Sequence, residues 1–272
     1  MPLDRTAEDL LAVVRESPHA VAAHDKAAWV GLFAEDAEVH DPYGSRAHIG
    51  VEAISRFYNV FIAPNTIGFH VDRDLVAGHT VVRDLRIETT MSTGATVSVP
   101  MHLRYDLVGT DDDWRISRLA AHWELGVMIA RLVRTGPSGL LAGAKLGPQL
   151  VAELGVGGAM GMMGALSGVG GAGKRVVRRL LEAAATGDSA GVRALLDESA
   201  VVEFPAGRPS SVAGFLDRTR DMEWDKMIAA GRTVSVSVRV GASRGVAFVD
   251  FARGRSRVTA VRVFLDGDPA DD

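Results

Sequence analysis

The chain has 272 residues, 47% hydrophobic and 24% charged, which is the composition of a globular protein long enough for two domains. Its net charge is −4, its isoelectric point is near 6.1, and no basic face stands out, which argues against a nucleic-acid partner. There is no cysteine, so disulfides, thiol nucleophiles and cysteine-based metal sites are excluded.

The first residues, "MPLDRTAEDLLAVV", carry acids early and have no basic segment ahead of an apolar one. They do not read as a secretory signal, and a cytoplasmic location is expected. Residues 6–33 are helical in pattern, with Thr6 as the cap and Asp9 three residues on. Ser17-Pro18 interrupts that pattern, and Ser17 reads as the cap of a restarted helix or as a hydroxyl donor. "KAAWVGLFAEDA" continues the helix to about Ala34, with Trp29 and Phe33 at i and i+4 read as core. A short strand, 37–41, ends at Asp41-Pro42 before a glycine turn. "VEAISRFYNVFIAP" is a further helix, stopped at Pro64.

The period then changes. "GFHVDRDLVAG", "HTVVRDLRIETTM", "ATVSVPMHLRYDLVG" and "WRISRLAAHWELG" alternate or run β-branched, separated by Gly- and Asp-rich turns, as in a meander. Val97, Val99, Met101, Leu103 and Tyr105 share one face by period two. Helices first and an antiparallel sheet afterwards predict an α+β fold, with helices packed on one face of the sheet.

Residues 128–173 are a connector of Gly, Ala, Leu and Met with little pattern. Within it, 154–173 is uncharged and long enough to span a membrane, but its glycine content weakens helix and hydrophobic drive alike. It is read as a linker or loosely helical segment, not a stable span. The first pattern then returns. "HDKAAWVGLFAEDAEVHDP" (24–42) lies over "GDSAGVRALLDESAVVEFP" (187–205) without a gap, and strand-like runs follow in both halves. Asp25 meets Asp188, Leu32 meets Leu195, and Pro42 meets Pro205. The decisive difference is Asp41, which is matched by Phe204.

The stretch "HDKAAWVGLFAEDAEVHDPYGSRAHIGVEAISRFY", with "MHLRYDL" and "AAHW" later, resembles the ketosteroid isomerase and SnoaL-like branch of the nuclear transport factor 2-like superfamily over residues 5–126. The resemblance implies a curved sheet wrapped around a helix to form a conical pocket, and hence tandem cone folds with a shortened second copy. The expected domains are 1–128, a linker or helix at 129–173, and a degenerate copy at 174–267. The resemblance places Asp41 on the catalytic base, Tyr58 on the tyrosine supporting the oxyanion site, and Trp123 on a pocket-wall tryptophan. It places the oxyanion tyrosine at Ser17, and the neutral acid at Met101, or at His102 in the neighbouring register. Met101, Val99, Leu103, Ser17 and Trp123 are accordingly expected to contact ligand.

From the residues alone, Asp41 is either a turn aspartate or a carboxylate at the mouth of a pocket. In the second case its task is proton abstraction beside a carbonyl, which needs an apolar surrounding that raises its pKa. Tyr58 serves either that site or the end of an amphipathic helix. The histidines show no ligand-like spacing, and neither H-x-H nor H-E-x-x-H occurs, so no metal is expected. "GVGGAGK" lacks the Walker spacing, and no cofactor is expected. Asp250, near Arg253 and Arg255, reads as a surface ion-pair partner. Two functions remain open: an isomerase-like enzyme acting on a small hydrophobic carbonyl compound of steroid-like or polyketide-like type, and a binder or assembly protein that keeps the pocket without the chemistry. Pairing of the two domains within one chain, or a homo-oligomer, is the expected assembly.

Overall fold

A computed structural model describes residues 5–110, 113–137, 141, 144, 168–254 and 257–266. The chain divides into two compact units. Each is a mixed α+β unit built on a curved, open sheet.

In the first unit, α1 (Arg5–Ala22) and α2 (Lys26–Gly31) precede β1 (Phe33–His40) and β2 (His48–Ile49). Next come α3 (Gly50–Phe57), a π-helical turn (Tyr58–Ile62), and β3 (Thr66–Ala77), β4 (Thr80–Thr90), β5 (Thr96–Val108) and β6 (Arg115–His122), followed by α4 (Leu125–Arg134). The strand order is β2-β1-β6-β5-β4-β3, antiparallel except that β1 runs parallel to β6. Leu10, Val14, Ser17 and Val21 recur at helical spacing along α1 and are all buried. Ser17 therefore lies on the core stripe of a continuous helix and does not cap a new one. Pro18 sits inside α1 without ending it.

One strand boundary and one helix end also differ from expectation. "FAEDA" reads as helix by composition, yet β1 begins at Phe33 because Phe33 pairs with Ile116 of β6. Ile116 N–H also donates to the Leu32 carbonyl at 2.9 Å, fixing the helix end. Long-range pairing thus overrides a weak local helix preference. The helix after "PYGS" ends in a π turn, which brings Val60, Phe61 and Ile62 together on the inner side of the cone.

The second unit holds α5 (Gly170–Thr186), α6 (Ser189–Leu195), β7 (Leu196–Glu203), α7 (Val212–Thr219), β8 (Glu223–Ala230), β9 (Thr233–Val240), β10 (Ser243–Phe251) and β11 (Val258–Leu265). Its strand order is β7-β11-β10-β9-β8, again with one parallel pair, β7 beside β11. This is the first sheet without β2, in whose place Glu203 and Pro209 make a single bridge. The likeness reaches individual atoms. Asp25 caps α2 by accepting from Ala28 N–H at 2.9 Å, and Asp188 caps α6 by accepting from Gly191 N–H at 2.9 Å. Tyr43 N–H donates to the Ala121 carbonyl at 2.8 Å, and Ala206 N–H donates to the Val263 carbonyl at 2.8 Å. Asp41-Pro42 and Phe204-Pro205 are both cis. The core of this unit gathers Val177, Leu180 and Leu181 of α5 with Phe204, Phe215, Val234, Val249 and Val261.

Two expected boundaries are crossed by helices: α4 runs over residue 128, and α5 begins at Gly170, ahead of 174. Most of the 154–173 segment lies outside the described residues. Among the described residues no helix is long and apolar enough to cross a membrane.

Candidate active site

The first sheet curls around α1, α2 and the α3–π segment, and a cavity of about 210 Å³ lies inside it. Its walls come from β5 (Val99, Met101, Leu103, Tyr105), β4 (Ile87, Thr89), the α3–π segment (Phe57, Val60, Phe61, Ile62) and α4 (Met128, Ile129, Leu132). These β5 residues are alternate ones, as period two requires, and they stand opposite the helices.

Asp41 opens onto this cavity. It follows the last residue of β1, where Pro42 ends the strand and Gly44, at φ 95°, closes the turn that Ser45 N–H anchors on the Pro42 carbonyl. Trp123, just past β6, donates its indole N–H to Asp41 Oδ1 at 2.6 Å. Burial pushes the Asp41 pKa from 3.8 up to about 6, while the Trp123 hydrogen bond holds it back. No cation contributes. The buried Arg83 spends its charge on Asp74, at 2.7 Å.

Of the residues singled out in the sequence, Asp41, Trp123, Met101, Val99, Leu103 and Ser17 all line the cavity. Tyr58 does not line it. The tyrosine is 2% exposed, its ring lies 5.6 Å from that of Trp29, and its hydroxyl is buried without a hydrogen-bond partner. Helical spacing explains this: Tyr58 repeats the buried Ile54 at i+4, whereas Phe57 and Phe61 form the neighbouring stripe that faces the cavity. His102, the alternative to Met101, points to the other sheet face, beside Asp84 at 3.4 Å. Ser17 is engaged by Trp29, whose indole N–H donates to its Oγ at 3.1 Å. Tyr105, to which the sequence reading gave only a place on the wall, is the one tyrosine among the lining residues.

Residues 14–118 match the family model described as SnoaL-like domain. This segment is a SnoaL-like domain. The family match does not extend into the second unit. No curated protein matches the chain. Solved structures similar to the chain include the Δ5-3-ketosteroid isomerase from Mycobacterium sp., 24% identical, covering 43% of this chain and 95% of its own, with a TM-score of 0.40. Another is RV0760c from Mycobacterium tuberculosis in complex with estradiol-17β-hemisuccinate, 23% identical over 43% of this chain and 95% of its own, with a TM-score of 0.40. A third is an M. tuberculosis LEH-like epoxide hydrolase, 14% identical over 52% of this chain and 98% of its own, with a TM-score of 0.42.

Within the first unit the Trp123–Asp41 bond carries a direct test. Trp123→Phe keeps an aromatic wall and removes the donor that holds the Asp41 pKa down. A hydrogen bond to a charged group is worth about 1.5 kcal/mol or more, so the Asp41 titration should move up by about one unit. Carbon-13 NMR of the Asp41 carboxyl reads this without any substrate. An unchanged midpoint would show that the bond does not act on the ionised form.

Proposed function

We propose that the first unit catalyses proton transfer next to the carbonyl of a small hydrophobic compound, with Asp41 as the base. The observation that carries this is a carboxylate with a pKa near 6, held by one indole N–H at the wall of an apolar cavity. Such a group is ionised at neutral pH yet basic enough to take a carbon-bound proton once a carbonyl acidifies it. In the step, Asp41 removes the α-proton, the C–H electron pair moves to the carbonyl oxygen as an enol or enolate, and the protonated Asp41 returns the proton. Return to the same carbon gives exchange, and return to the γ-carbon of an unsaturated ketone gives isomerisation.

Ligand pockets commonly span about 300–1,000 Å³. At about 210 Å³ this one takes a compact group, such as two fused rings. A longer steroid-like or polyketide-like skeleton would extend past Ile129, which lines the cavity and is itself exposed. A structural role for the second unit is supported by Phe204, which lies in its core where the first unit carries Asp41.

A second reading is supported by Met101 and Ser17. Neither places a free donor where the family resemblance implies one. Under that reading the chain binds an apolar ligand, and Asp41 only accepts a hydrogen bond from it. Deuterium uptake from D2O into a panel of β,γ-unsaturated bicyclic ketones separates the two. Uptake with wild type that is lost in Asp41→Asn supports the enzyme. Equal uptake in both proteins overturns it.

A further inference from the structure

An enolate needs a donor aimed at its oxygen, and neither Met101 nor a tyrosine at position 17 supplies one here. The cavity holds another candidate. Tyr105 is 1% exposed and is the last residue of β5 that lines the cavity. Across the sheet it pairs with Leu119, which pairs in turn with Val39 of β1. Asp41 follows Val39 by two residues. The phenol and the carboxylate therefore spring from one face, about 7 Å apart along the strands and about 10 Å apart across β6, the phenol being the deeper.

The phenol also has neighbours that can orient it. Trp29 Nε1 donates to Ser17 Oγ at 3.1 Å. An indole N–H only donates, so it occupies a lone pair of the serine oxygen. Ser17 and Tyr105 both line the cavity, and a Ser17 hydroxyl turned toward the phenol oxygen favours the phenolate. With the serine hydrogen on the phenol oxygen, the tyrosine hydrogen would be left for the cavity. Arg83, 4% exposed, stands on the adjacent strand opposite Leu103, and its charge also favours the phenolate. Burial outweighs both and pushes the phenol up to about 12, so Tyr105 keeps its proton and has it to donate.

From this arrangement we infer that Tyr105 is the hydrogen-bond donor to the substrate carbonyl, and that Ser17 and Trp29 are positioning residues acting through it. This rests on the reading of Asp41 as base. A carbonyl lodged against Tyr105 presents its α-carbon toward the Asp41 row. The enolate oxygen that forms when Asp41 takes the proton is stabilised by a donor already in place. No atom is gained or lost at Tyr105, since the phenol shares its proton and keeps it.

The test uses a bicyclic α,β-unsaturated ketone labelled with carbon-13 at the carbonyl, bound to the full chain and read by infrared spectroscopy. With wild type the carbonyl band should fall below its position in an apolar solvent. With Tyr105→Phe it should return close to that position, and with Ser17→Ala it should return part of the way. In deuterium exchange, Tyr105→Phe should lower kcat about 100-fold while KM stays within about threefold, as expected for a donor that acts mainly on the developing charge. An unshifted band in wild type, or the wild-type band retained by Tyr105→Phe, overturns the inference. If Tyr105→Phe does not fold, Ser17→Ala decides: a band identical to wild type overturns it. A Tyr105-dependent band with no exchange by wild type would support the donor and sink Asp41 as a base. Exchange at the wild-type rate in Tyr105→Phe would do the reverse.

Discussion

Asp41→Asn is expected to lower enolisation by about 10²–10⁴-fold and to make the protein more stable above pH 6. The first effect follows from removing the proton acceptor while its shape stays. Asn accepts the Trp123 N–H through the same oxygen, so ligand affinity should change little. The second follows from the pKa. The folded value is about 6 and the ordinary value is 3.8, so folding favours the protonated acid. Below pH 3.8 both states hold the proton, and this contribution to stability is fully present. Between there and pH 6 the unfolded chain ionises while the folded one resists, and stability falls. Above pH 6 the folded carboxyl ionises too, and the loss levels off at about 3 kcal/mol, at 1.36 kcal/mol per unit.

Asn carries no such penalty. Its gain over wild type should grow from near zero at pH 4 to about 2–3 kcal/mol at pH 8, the lower figure allowing for an amide N–H2 placed in an apolar site. Urea denaturation followed by tryptophan fluorescence at both pH values measures it. In wild type, kcat/KM should rise with pH through about 6 as the base ionises. Equal stability of the two proteins at pH 8 would show that Asp41 is not desolvated, and the proposal would fall with it. A stabilising loss of activity is what a functional site held against stability predicts.

Asp41 was legible because its signal is local: a strand, then Asp-Pro, then a glycine turn. The face Val97–Tyr105 was legible because period two needs no knowledge of partners. The repeat was legible because it is ungapped, and the caps Asp25 and Asp188 reproduce it atom for atom. Only the capping role of Ser17 fails, and for a physical reason. Pro18 inside a helix costs about 3 kcal/mol, and from local propensity alone the helix should restart there. Burial of Val21 and Ala20 beyond it returns an amount of similar size, at about 1.5–3 kcal/mol for a fully buried Val. The core stripe of α1 therefore runs through Pro18 and carries Ser17 inward.

Tyr58 and Tyr105 exchange places between the two readings. Counting four residues from Ile54 already puts Tyr58 on the buried stripe, and a strict helical count would have separated it from Phe57 and Phe61. Tyr105 is the only residue with a polar tip on an otherwise apolar run. That contrast is visible in the sequence, but the pair inferred to position it, Ser17 and Trp29, is 88 and 76 residues away, and only the fold brings that pair to the same cavity.

Phe204→Asp, which restores to the second unit the residue found at Asp41 in the first, is expected to destabilise that unit and to create no second site. Phe204 is 5% exposed in the core and meets Phe215 edge to face, with ring centroids 6.2 Å apart. Truncating a buried Phe costs about 3–5 kcal/mol, and the lost aromatic pair is part of that cost. The new carboxylate would not find the surroundings of Asp41 either. The Arg218 guanidinium lies over the Phe204 ring at 5.6 Å and donates to the Phe204 carbonyl, so a carboxylate there would pair with a cation. Its pKa would be held down, where Asp41 is pushed up. Because Arg218 is exposed, such a pair returns no more than about 1 kcal/mol. The balance leaves about 3 kcal/mol of destabilisation, or roughly a hundredfold in the opening equilibrium. Hydrogen exchange should therefore quicken about that much at the amides of Val234, Val236 and Val249, while those of Val81 and Leu85 keep their rates. In an Asp41→Asn background the Phe204→Asp chain should stay inactive on the ketone panel. Wild-type protection of β9 and β10, or recovered deuterium exchange into the ketones, would show that the second cone can still be opened into a working pocket.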